Sequence, residues 1–349
     1  MAAGAGLKAL AMDRVAQWPA GERAELFQET AARRGVVPTI IEKDFWVCWT
    51  LRRLFAYEAQ RPAMLFKGGT SLSKVYGAIE RFSEDVDISL HRHDLGFSRA
   101  RDPENAPSRK ARGRLLDELA LACERFIAGE LLPRVAADFA SVLGPHGGTW
   151  RLEVDGADPQ TVLFTYPASI GAGAAPYVRQ VVRMEFGARS ELWPADVAAV
   201  RPYAAEEFPG AFEDARAEVR VLGAKRTFWE KATILHAEYH RGEPRKETDR
   251  LSRHYYDLAM LARGPVRGEA LDDVDLLIRV ARHKEMFYPA SWANYGKARP
   301  GTLRLAPHAT LARSLEADYR RMAEMFFGTP PPFPDVLATI AELERSING

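Results

Sequence analysis

The chain has 349 residues, of which 47% are hydrophobic and 27% are charged, and its formal net charge at pH 7 is +1. This length and composition indicate an ordinary soluble protein whose sizeable core is packed as two lobes of one cooperative unit. A charge so near zero gives no overall attraction to nucleic acid, so an RNA contact would require a local basic patch.

The sequence predicts no export signal, no membrane-spanning segment and no disulfide bond. The first residues, Met1 to Lys8, lack the long apolar core behind a basic start that marks a secretory signal, and no transmembrane span is predicted. Cys48 and Cys123 each lie in an apolar helical pattern, which predicts buried thiols rather than a disulfide. We therefore expect a cytoplasmic protein without a membrane partner.

The chain divides into three predicted segments. They are an N-terminal helical brace, a lobe of strands and helices, and a C-terminal helical lobe, over residues 1–58, 59–209 and 210–349. In the brace, Lys43 and Asp44 are predicted to open a strongly apolar helix. The proline-rich residues 193–209 mark the second transition, and from Asp214 onward the pattern is helical.

The middle segment begins with a short apolar strand and a glycine turn. Gly68 and Gly69 let the backbone turn where a side chain would clash. A helix should begin there, with an apolar stripe that reaches Ile79 and with Thr70 or Ser71 capping its first turn. Outward-facing amide groups in such a turn suit a phosphate.

An acidic strand follows this helix. Asp85 and Asp87 alternate with apolar residues, which predicts a strand with one buried face and one acidic face. The two aspartates then lie on the same face, roughly 6.5 to 7 Å apart along the strand. Their carboxylates can converge on one Mg²⁺ or flank a pair of ions about 4 Å apart. A phosphate-suited turn beside these acids indicates nucleotide chemistry on a metal ion.

The glycine turn, the helix and the segment Arg81 to Asp87 resemble the AbiEii/AbiGii toxin branch of the DNA polymerase β-like nucleotidyltransferases, to which the MenT toxins also belong. Residues 41–46, 230–231 and 256–257 resemble other recurring segments of that family, so the resemblance covers roughly residues 42–261. It implies an α+β fold in which a nucleotidyltransferase lobe, a mixed β-sheet flanked by helices, joins the brace to the helical lobe.

The resemblance also implies a function. Such a protein is a toxin of a toxin–antitoxin or abortive-infection system of phage defence, paired with a cognate antitoxin. It transfers a nucleoside monophosphate (NMP) from a nucleoside triphosphate (NTP), in some members onto the 3′ end of tRNA. None of this follows from composition, and the sequence selects neither the nucleotide nor the acceptor.

Nucleotidyltransferases usually carry a third acid on a later strand between apolar residues. Glu185, within residues 181–186, fits this template, and Glu153 fits the same local pattern. An alternative explanation of Glu185 is a solvent-facing charge paired with Arg183 or Arg189.

Two downstream charges are candidate catalytic residues. Lys231 lies among apolar residues of a predicted helix, so its ammonium is expected to point into the cleft between the lobes and hold the triphosphate. A lysine that snorkels over the core is the alternative. Asp257 lies four residues after Arg253, which an intrahelical ion pair would explain. Its position in the family instead implies an active-site role, as a base for the acceptor or an anchor for Lys231.

Four further side chains have open assignments. Lys74 could face the phosphates or be a solvated helix lysine. Arg81 could neutralise phosphate charge or pair with Glu84. His91 and His93 share a strand face, but no further Cys or His lies nearby in sequence, so they are interpreted as polar strand-end residues rather than zinc ligands.

The segment 282–304 interleaves cations with aromatic residues, a composition that can grip phosphates and stack on unpaired bases. In the simpler explanation, the aromatic residues anchor a loop and the charges are solvated. If the end of a tRNA binds, this segment is the predicted contact.

These residues lead to one mechanistic hypothesis. Asp85, Asp87 and Glu185 coordinate Mg²⁺, or Mn²⁺ in its place, and the Gly68 to Ser71 turn binds the β- and γ-phosphates. An acceptor hydroxyl attacks the α-phosphorus in line and pyrophosphate leaves. Two alternatives stay open, an Asp-x-Asp glycosyltransferase that uses a sugar nucleotide and a non-catalytic, partner-binding scaffold of the same shape.

Overall fold

The computed structural model of the chain describes residues 11–56, 62–171, 179–212, 214–241 and 250–349. Its centre is a seven-stranded mixed sheet with the strand order β3-β4-β5-β2-β1-β7-β6. The strands are β1 Met64–Lys67, β2 Asp85–Leu90, β3 Arg151–Asp155, β4 Asp158–Thr165, β5 Val181–Gly187, β6 Ala195–Val200 and β7 Ala217–Leu222. Helices flank this sheet, so the predicted α+β class is confirmed.

The helices fall before, within and after the strands. Those of the described residues are α1 Ala11–Ala16, α2 Ala20–Arg34, α3 Pro38–Phe55, α4 Gly68–Lys74, α5 Arg109–Phe126, α6 Leu132–Leu143, α7 Tyr203–Glu207, α8 Ala224–His240, α9 Ser252–Arg263, α10 Val266–Leu271, α11 Val274–Phe287, α12 Ala309–Arg321 and α13 Phe333–Asn348. A π-helical turn joins α5 to α6. In the ranges that the structure describes, no helix combines the length and apolar character needed to cross a bilayer.

The middle of the sheet brings three charged residues into one row. Strand β2 pairs antiparallel with β1 and parallel with β5, in a register that places Asp87 opposite both Lys67 and Glu185. Directly opposite residues of paired strands project from the same face of the sheet. Lys67, Asp87 and Glu185 therefore lie side by side across three strands.

Strand β7 corrects the predicted division of the chain. It pairs in parallel with β1 and antiparallel with β6, so the sheet is completed beyond residue 209. The prediction that only helical structure follows Asp214 is therefore wrong. The alternation of buried Ala217, Val219 and Val221 with charged residues is a strand pattern, but it covers only six residues and stands directly before the long helical pattern that begins at Ala224.

The helix after the glycine turn is shorter than predicted. It begins at Gly68 and ends at Lys74, and Gly77 has a φ of 55°. Most L-residues avoid this left-handed region, so the chain leaves the helix where glycine permits it. Ile79 is nevertheless buried, because the segment after the turn packs against the helical lobe.

The brace is fastened to the sheet by both aromatic and charged contacts. Trp49 of α3 packs against Phe139 of α6 with ring centroids 4.5 Å apart, and Phe139 packs against Phe164 of β4 at 4.8 Å. Helix α3 starts at Pro38, earlier than the predicted start at Lys43. Lys43 lies inside it and donates to Glu84, directly before Asp85, over 2.7 Å. This buried contact ties the brace to the start of the acidic strand.

Candidate active site

A cavity of about 280 Å³ lies between strands β1, β2 and β5, which carry Lys67, Asp87 and Glu185, and the helices α8, α9 and α11. It brings together seven of the predicted site residues, namely Gly68, Gly69, Arg81, Asp85, Asp87, Glu185 and Lys231. Thr70, Ser71, Lys74, Asp257 and the alternative acid Glu153 do not line it. The sheet supplies the acids Asp85, Asp87 and Glu185, whereas the helices supply Glu230 and most of the cations of this cavity.

The acidic row consists of Asp85, Asp87 and Glu185. Burial raises the pKa of Asp85 to about 6, with added repulsion from Glu84, Glu185 and Asp87. Burial and the charge of Glu185 also raise the pKa of Asp87, although Lys67 opposes that shift. Both directions indicate crowded negative charge that an added cation would relieve.

The donor chemistry of the acidic row fits a hard divalent cation. Carboxylate oxygens are the ligands that Mg²⁺ prefers, and Asp85 and Asp87 present them from one strand. Glu185 lies opposite Asp87 but also accepts a hydrogen bond from Arg183 Nε over 2.8 Å, as the alternative explanation proposed. Within the described ranges, no three His, Cys, Asp or Glu side chains already converge on one metal position. The row would therefore have to tighten around an ion.

Glu153 is separated from the acidic row. It is exposed on β3, which pairs with β4, and β4 in turn pairs with β5. Three strand spacings thus separate Glu153 from β2, about 14 Å in a regular sheet. The register of the sheet favours Glu185 as the third acid.

The two glycines are required by close packing against the acidic row and its neighbours. Gly68 has a φ of 82°, and a Cβ at this position would collide with Asp87 Oδ2. A Cβ on Gly69 would lie 2.8 Å from both Arg81 Nη2 and Ser83 Oγ. The turn therefore brings bare backbone next to the carboxylate of Asp87 and the guanidinium of Arg81.

The hydroxyl groups beyond the glycines do not face the cavity. Thr70 Oγ1 donates to the carbonyl of Asp85, and Ser71 Oγ donates to the carbonyl of Gly68 over 2.8 Å. Helix α4 begins before them, without a side-chain cap. The expected capping role is therefore wrong: the Thr70 hydroxyl ties the turn to the acidic strand, and the Ser71 hydroxyl closes the turn on itself.

A cationic wall, made of Arg81 and Lys231, stands opposite the acidic row and is held by Asp257. Arg81 contacts Asp257 through Nε and Nη2, at 2.7 and 2.8 Å, and Lys231 Nζ lies 2.7 Å from Asp257 Oδ2. Burial alone would raise the pKa of Asp257, but the charges of Arg81 and Lys231 hold this pKa well below its ordinary range. A carboxylate held ionised in this way anchors the two cations and is a poor base.

This arrangement corrects two predicted pairs. Arg253 does not pair with Asp257 within α9 but approaches Asp85, with Nη1 and Oδ2 3.9 Å apart. Arg81 does not pair with Glu84, which contacts Lys43 and Arg250 instead. In both cases a tertiary partner replaced the neighbour in sequence, because the fold brings α9 over the acidic strand.

Lys74 is a structural residue and not a phosphate ligand. Its Nζ lies 2.7 Å from Asp44 Oδ1 of the brace and 3.4 Å from the ring centre of Tyr203. Burial opposes its charge, but Asp44 raises the pKa of Lys74 strongly. The predicted contact with phosphates is therefore wrong, because the helix turns this side chain toward α3.

Replacing Lys74 should separate stability from nucleotide binding. Lys74→Gln keeps a donor near Asp44 but removes the charge, so we expect the free energy of unfolding to fall by about 2 kcal/mol. The dissociation constant of an NTP should stay within about twofold, whereas Lys231→Gln, in the cavity, should weaken binding roughly tenfold. Urea unfolding and calorimetric titration measure the two quantities. Equal losses of affinity in both variants would contradict the assignment of Lys74.

Several cavity residues were missed by the sequence reading. They are Lys67, Ser83, Arg226, Glu230, Arg253, His254, His283, Lys284 and Tyr288. Lys67, directly before the glycines, could have been found, because a lysine at the end of an otherwise apolar strand is unusual. Burial disfavours the charge of Lys67, but the Asp87 carboxylate favours it, and the pKa of Lys67 is raised. Glu230 lies in a segment that resembles the family, and residues 283–288 lie in the segment predicted to contact RNA. That they share one cavity with the acidic row depends on how α8, α9 and α11 pack.

Lys284 should make nucleotide binding depend on pH. Burial, with repulsion from Lys67 and Lys231, lowers the pKa of Lys284 to about 8, although Glu230 opposes this shift. Its charge is present below that pH and is lost as the pH rises through it. We expect NTP affinity to fall by up to about tenfold between pH 7 and pH 9. Lys284→Arg stays charged and should flatten the profile; an unchanged slope in that variant would exclude Lys284 as the cause.

The basic and aromatic segment 282–304 divides its residues between the core and the surface. Phe287 is buried under Arg92, as the simpler explanation proposed, whereas Trp292 is partly exposed and stacks on Arg241 at 3.7 Å. A second cavity, of about 820 Å³, lies beside this segment on another face of α11. The residues that line it include Arg109, Arg112, Arg282 and Tyr295.

The two strand-end histidines lie outside the cavity. His93 Nε2 contacts Asp102 Oδ2 at 2.9 Å, and His91 Nδ1 lies 3.3 Å from Asp94. Their rings also contact each other, with centroids 4.7 Å apart. Among the residues described, these polar contacts complete no three-ligand metal group.

Comparison with known proteins identifies the family. The family model "Nucleotidyl transferase AbiEii toxin, Type IV TA system" matches residues 49–341. MenT4, a nucleotidyltransferase toxin from Mycobacterium tuberculosis H37Rv, is 16% identical with a TM-score of 0.45, over 93% of this chain and 96% of that chain. JHP933 from Helicobacter pylori is 15% identical with a TM-score of 0.38, over 86% and 87%. No curated protein matches. Because the family model covers most of its length, the chain belongs to the AbiEii family of nucleotidyltransferase toxins of type IV toxin–antitoxin systems.

Proposed function

We propose that this toxin is a metal-dependent enzyme that transfers NMP from an NTP to the 3′ end of tRNA and is opposed by a cognate antitoxin. The observation that carries the proposal is one cavity in which the acidic row faces the cationic wall across the Gly68 and Gly69 turn. An NTP needs both sides, since its triphosphate is anionic and its α-phosphorus must meet an activated hydroxyl.

The acidic row would hold the metal. Asp85, Asp87 and Glu185 supply its oxygen ligands, and Mg²⁺ or Mn²⁺ bound there would lower the pKa of the acceptor hydroxyl and offset charge on the leaving pyrophosphate. Asp87 is held in place for this purpose by its packing against Gly68.

The cationic wall binds the triphosphate. Arg81 and Lys231 stand near the glycine turn, and bare backbone at Gly68 and Gly69 allows phosphate oxygens to approach closely. Asp257 keeps both cations in position, and its charge opposes the lowering of the Lys231 pKa by burial. Catalysis in this arrangement is positioning combined with charge neutralisation, as the family's reaction class requires.

The second cavity suits the acceptor. Its arginines can contact phosphates and Tyr295 can stack on an unpaired base, which is how proteins hold single-stranded RNA. Helix α11 lies between the two cavities, with Lys284 lining the first and Arg282 lining the second. An RNA end that passes α11 would reach the acidic row.

A labelling experiment tests the proposal. The purified protein is incubated with total tRNA, Mg²⁺ and each α-³²P-labelled NTP in turn, and the products are separated on a denaturing gel. We expect label on tRNA from one or more of the NTPs, and none when EDTA replaces Mg²⁺. A parallel incubation with a labelled sugar nucleotide tests the glycosyltransferase alternative. Label on protein instead of RNA would overturn the acceptor, and no label from any donor would favour the scaffold.

The third acid can be tested with a matched pair of variants. Glu185→Gln removes a charge next to Asp87, so we expect transfer to fall roughly 10- to 100-fold. Glu153→Gln makes the same chemical change three strands away from β2 and should leave the rate within about twofold. Rates of label incorporation at saturating NTP decide between them. A larger loss from Glu153→Gln would reverse the assignment.

A further inference from the structure

His254 of α9 lines the cavity beside the cationic wall. Its Nδ1 lies 3.1 Å from Lys231 Nζ, and the same ammonium contacts Asp257 Oδ2 at 2.7 Å. His254 thus lies in the cavity wall and contacts Lys231 directly, although it was not among the predicted site residues.

The contact with Lys231 determines which ring nitrogen carries the proton. An ammonium group donates hydrogen bonds and accepts none, so His254 Nδ1 must accept and the proton must lie on Nε2. Burial lowers the pKa of Lys231, but its contact with the ionised and fully buried Asp257 opposes this shift and favours the ammonium form. Burial, with the charges of Lys231 and Arg253, lowers the pKa of His254 well below its ordinary range. The ring is therefore neutral, in the Nε2–H tautomer.

This tautomer leaves a fixed donor at the cavity wall. Among the described residues, Nε2 of His254 has no hydrogen-bond partner, while Nδ1 is occupied by Lys231. The groups that surround the ring include Arg81, Lys231 and Arg253, which would draw the phosphates of a ligand to this side. A neutral donor adds a hydrogen bond here without further repulsion among these cations.

We propose that His254 is a nucleotide-binding residue whose Nε2–H, oriented by Lys231, donates to a phosphate oxygen of the bound NTP. The proposal rests on the proposed function, since it assigns a new residue to the same site. It distinguishes a direct contact with the ligand from a role in which His254 only supports Lys231.

Two substitutions separate these roles. In His254→Gln the side-chain amide nitrogen takes the place of Nε2, so the donor to phosphate is retained. In His254→Asn the amide oxygen takes the place of Nδ1, so the acceptor for Lys231 is retained and the donor to phosphate is lost. The probe is a non-hydrolysable α,β-methylene NTP titrated calorimetrically, with thermal unfolding to confirm that each variant is folded.

We expect His254→Gln to bind within about threefold of the wild type and His254→Asn to bind roughly 10- to 100-fold more weakly, the effect of one hydrogen bond to a charged group. The reverse order would show that His254 only supports Lys231 and would overturn the proposal. Failure of the wild-type protein to bind any of the four analogues would overturn the proposed function together with it.

A second measurement needs no nucleotide. Long-range ¹⁵N–¹H NMR correlations of the unliganded protein at neutral pH should show His254 with a bare Nδ1 and a protonated Nε2, and Lys231→Met should abolish this preference. An Nδ1–H tautomer or a doubly protonated ring in the wild type would overturn the proposal even if the protein binds NTP. The two failures are therefore distinguishable.

Discussion

Asp87→Asn is expected to lower nucleotide transfer roughly 1000-fold while the protein stays folded. The carboxylate is the centre of the acidic row, next to Glu185 on β5 and in contact range of the glycine turn. Loss of a metal-binding charge removes several kcal/mol of transition-state stabilisation, and each 1.36 kcal/mol is a factor of ten in rate. Burial and the charge of Glu185 raise the pKa of Asp87, so asparagine relieves repulsion within the acidic row, but it also removes a charge that favours the buried ammonium of Lys67. Because these two effects oppose each other, we expect the variant to stay folded at neutral pH.

The measurement is label transfer from α-³²P-NTP at saturating donor, alongside urea unfolding at pH 7.5. Asp117→Asn is the matched control, since Asp117 lies exposed on α5 and should change neither quantity. An Asp87→Asn variant that transfers within tenfold of the wild type would exclude Asp87 from the proposed metal site.

Asp257→Asn is expected to lower the free energy of unfolding by about 3 to 5 kcal/mol, the usual cost of leaving buried charge without its partner. Asp257 is fully buried and compensates both Arg81 and Lys231. Its pKa is lowered in the folded state, so its stabilisation is present above the unfolded pKa of about 4 and is lost as the pH falls through the folded value. The difference in the free energy of unfolding between wild type and variant should therefore be largest at pH 7 and should shrink in strong acid.

Asp273→Asn provides the comparison. It breaks a half-exposed pair with Lys225, at 2.6 Å, and should cost no more than about 1 kcal/mol. Chemical denaturation at pH 7 measures both variants. The double variant Asp257→Asn with Lys231→Met should recover part of the loss, because it also removes one of the stranded charges. If Asp257→Asn lowered the free energy of unfolding no more than Asp273→Asn does, the buried contacts of Asp257 with Arg81 and Lys231 would not be what stabilises the cationic wall.

Local chemistry explains why part of the site could be predicted. Two local patterns each predict the backbone conformation of their own segment. They are the pair Gly68 and Gly69 after a strand, and the strict alternation of Asp85 and Asp87 with apolar residues. Both features lie at the cavity. The apolar helix predicted to open at Lys43 is also found, as α3 Pro38–Phe55, because its apolar residues dominate that part of the sequence.

The remaining features depend on which distant segments meet. Glu185 and Glu153 have equivalent local patterns, and only the pairing of β2 with β5 separates them. Lys74 and Asp257 have suitable partners within their own helices or in solvent, yet each pairs with a residue far away in sequence. No spacing rule along one helix contains that information. The short strand β7 is a different case, since its own alternation is a strand pattern and only its place in the sheet depends on pairing with β1 and β6.

The position of β1 between β2 and β7 has a consequence for synthesis of the toxin. The acids on β2 leave the ribosome early, whereas β7, the cationic wall and Lys284 follow much later in the chain. Since domains fold as units during translation, an incomplete chain carries carboxylates without the cations that face them. The cavity that joins these acids to the cations therefore cannot be complete until residues as far as Tyr288 have emerged.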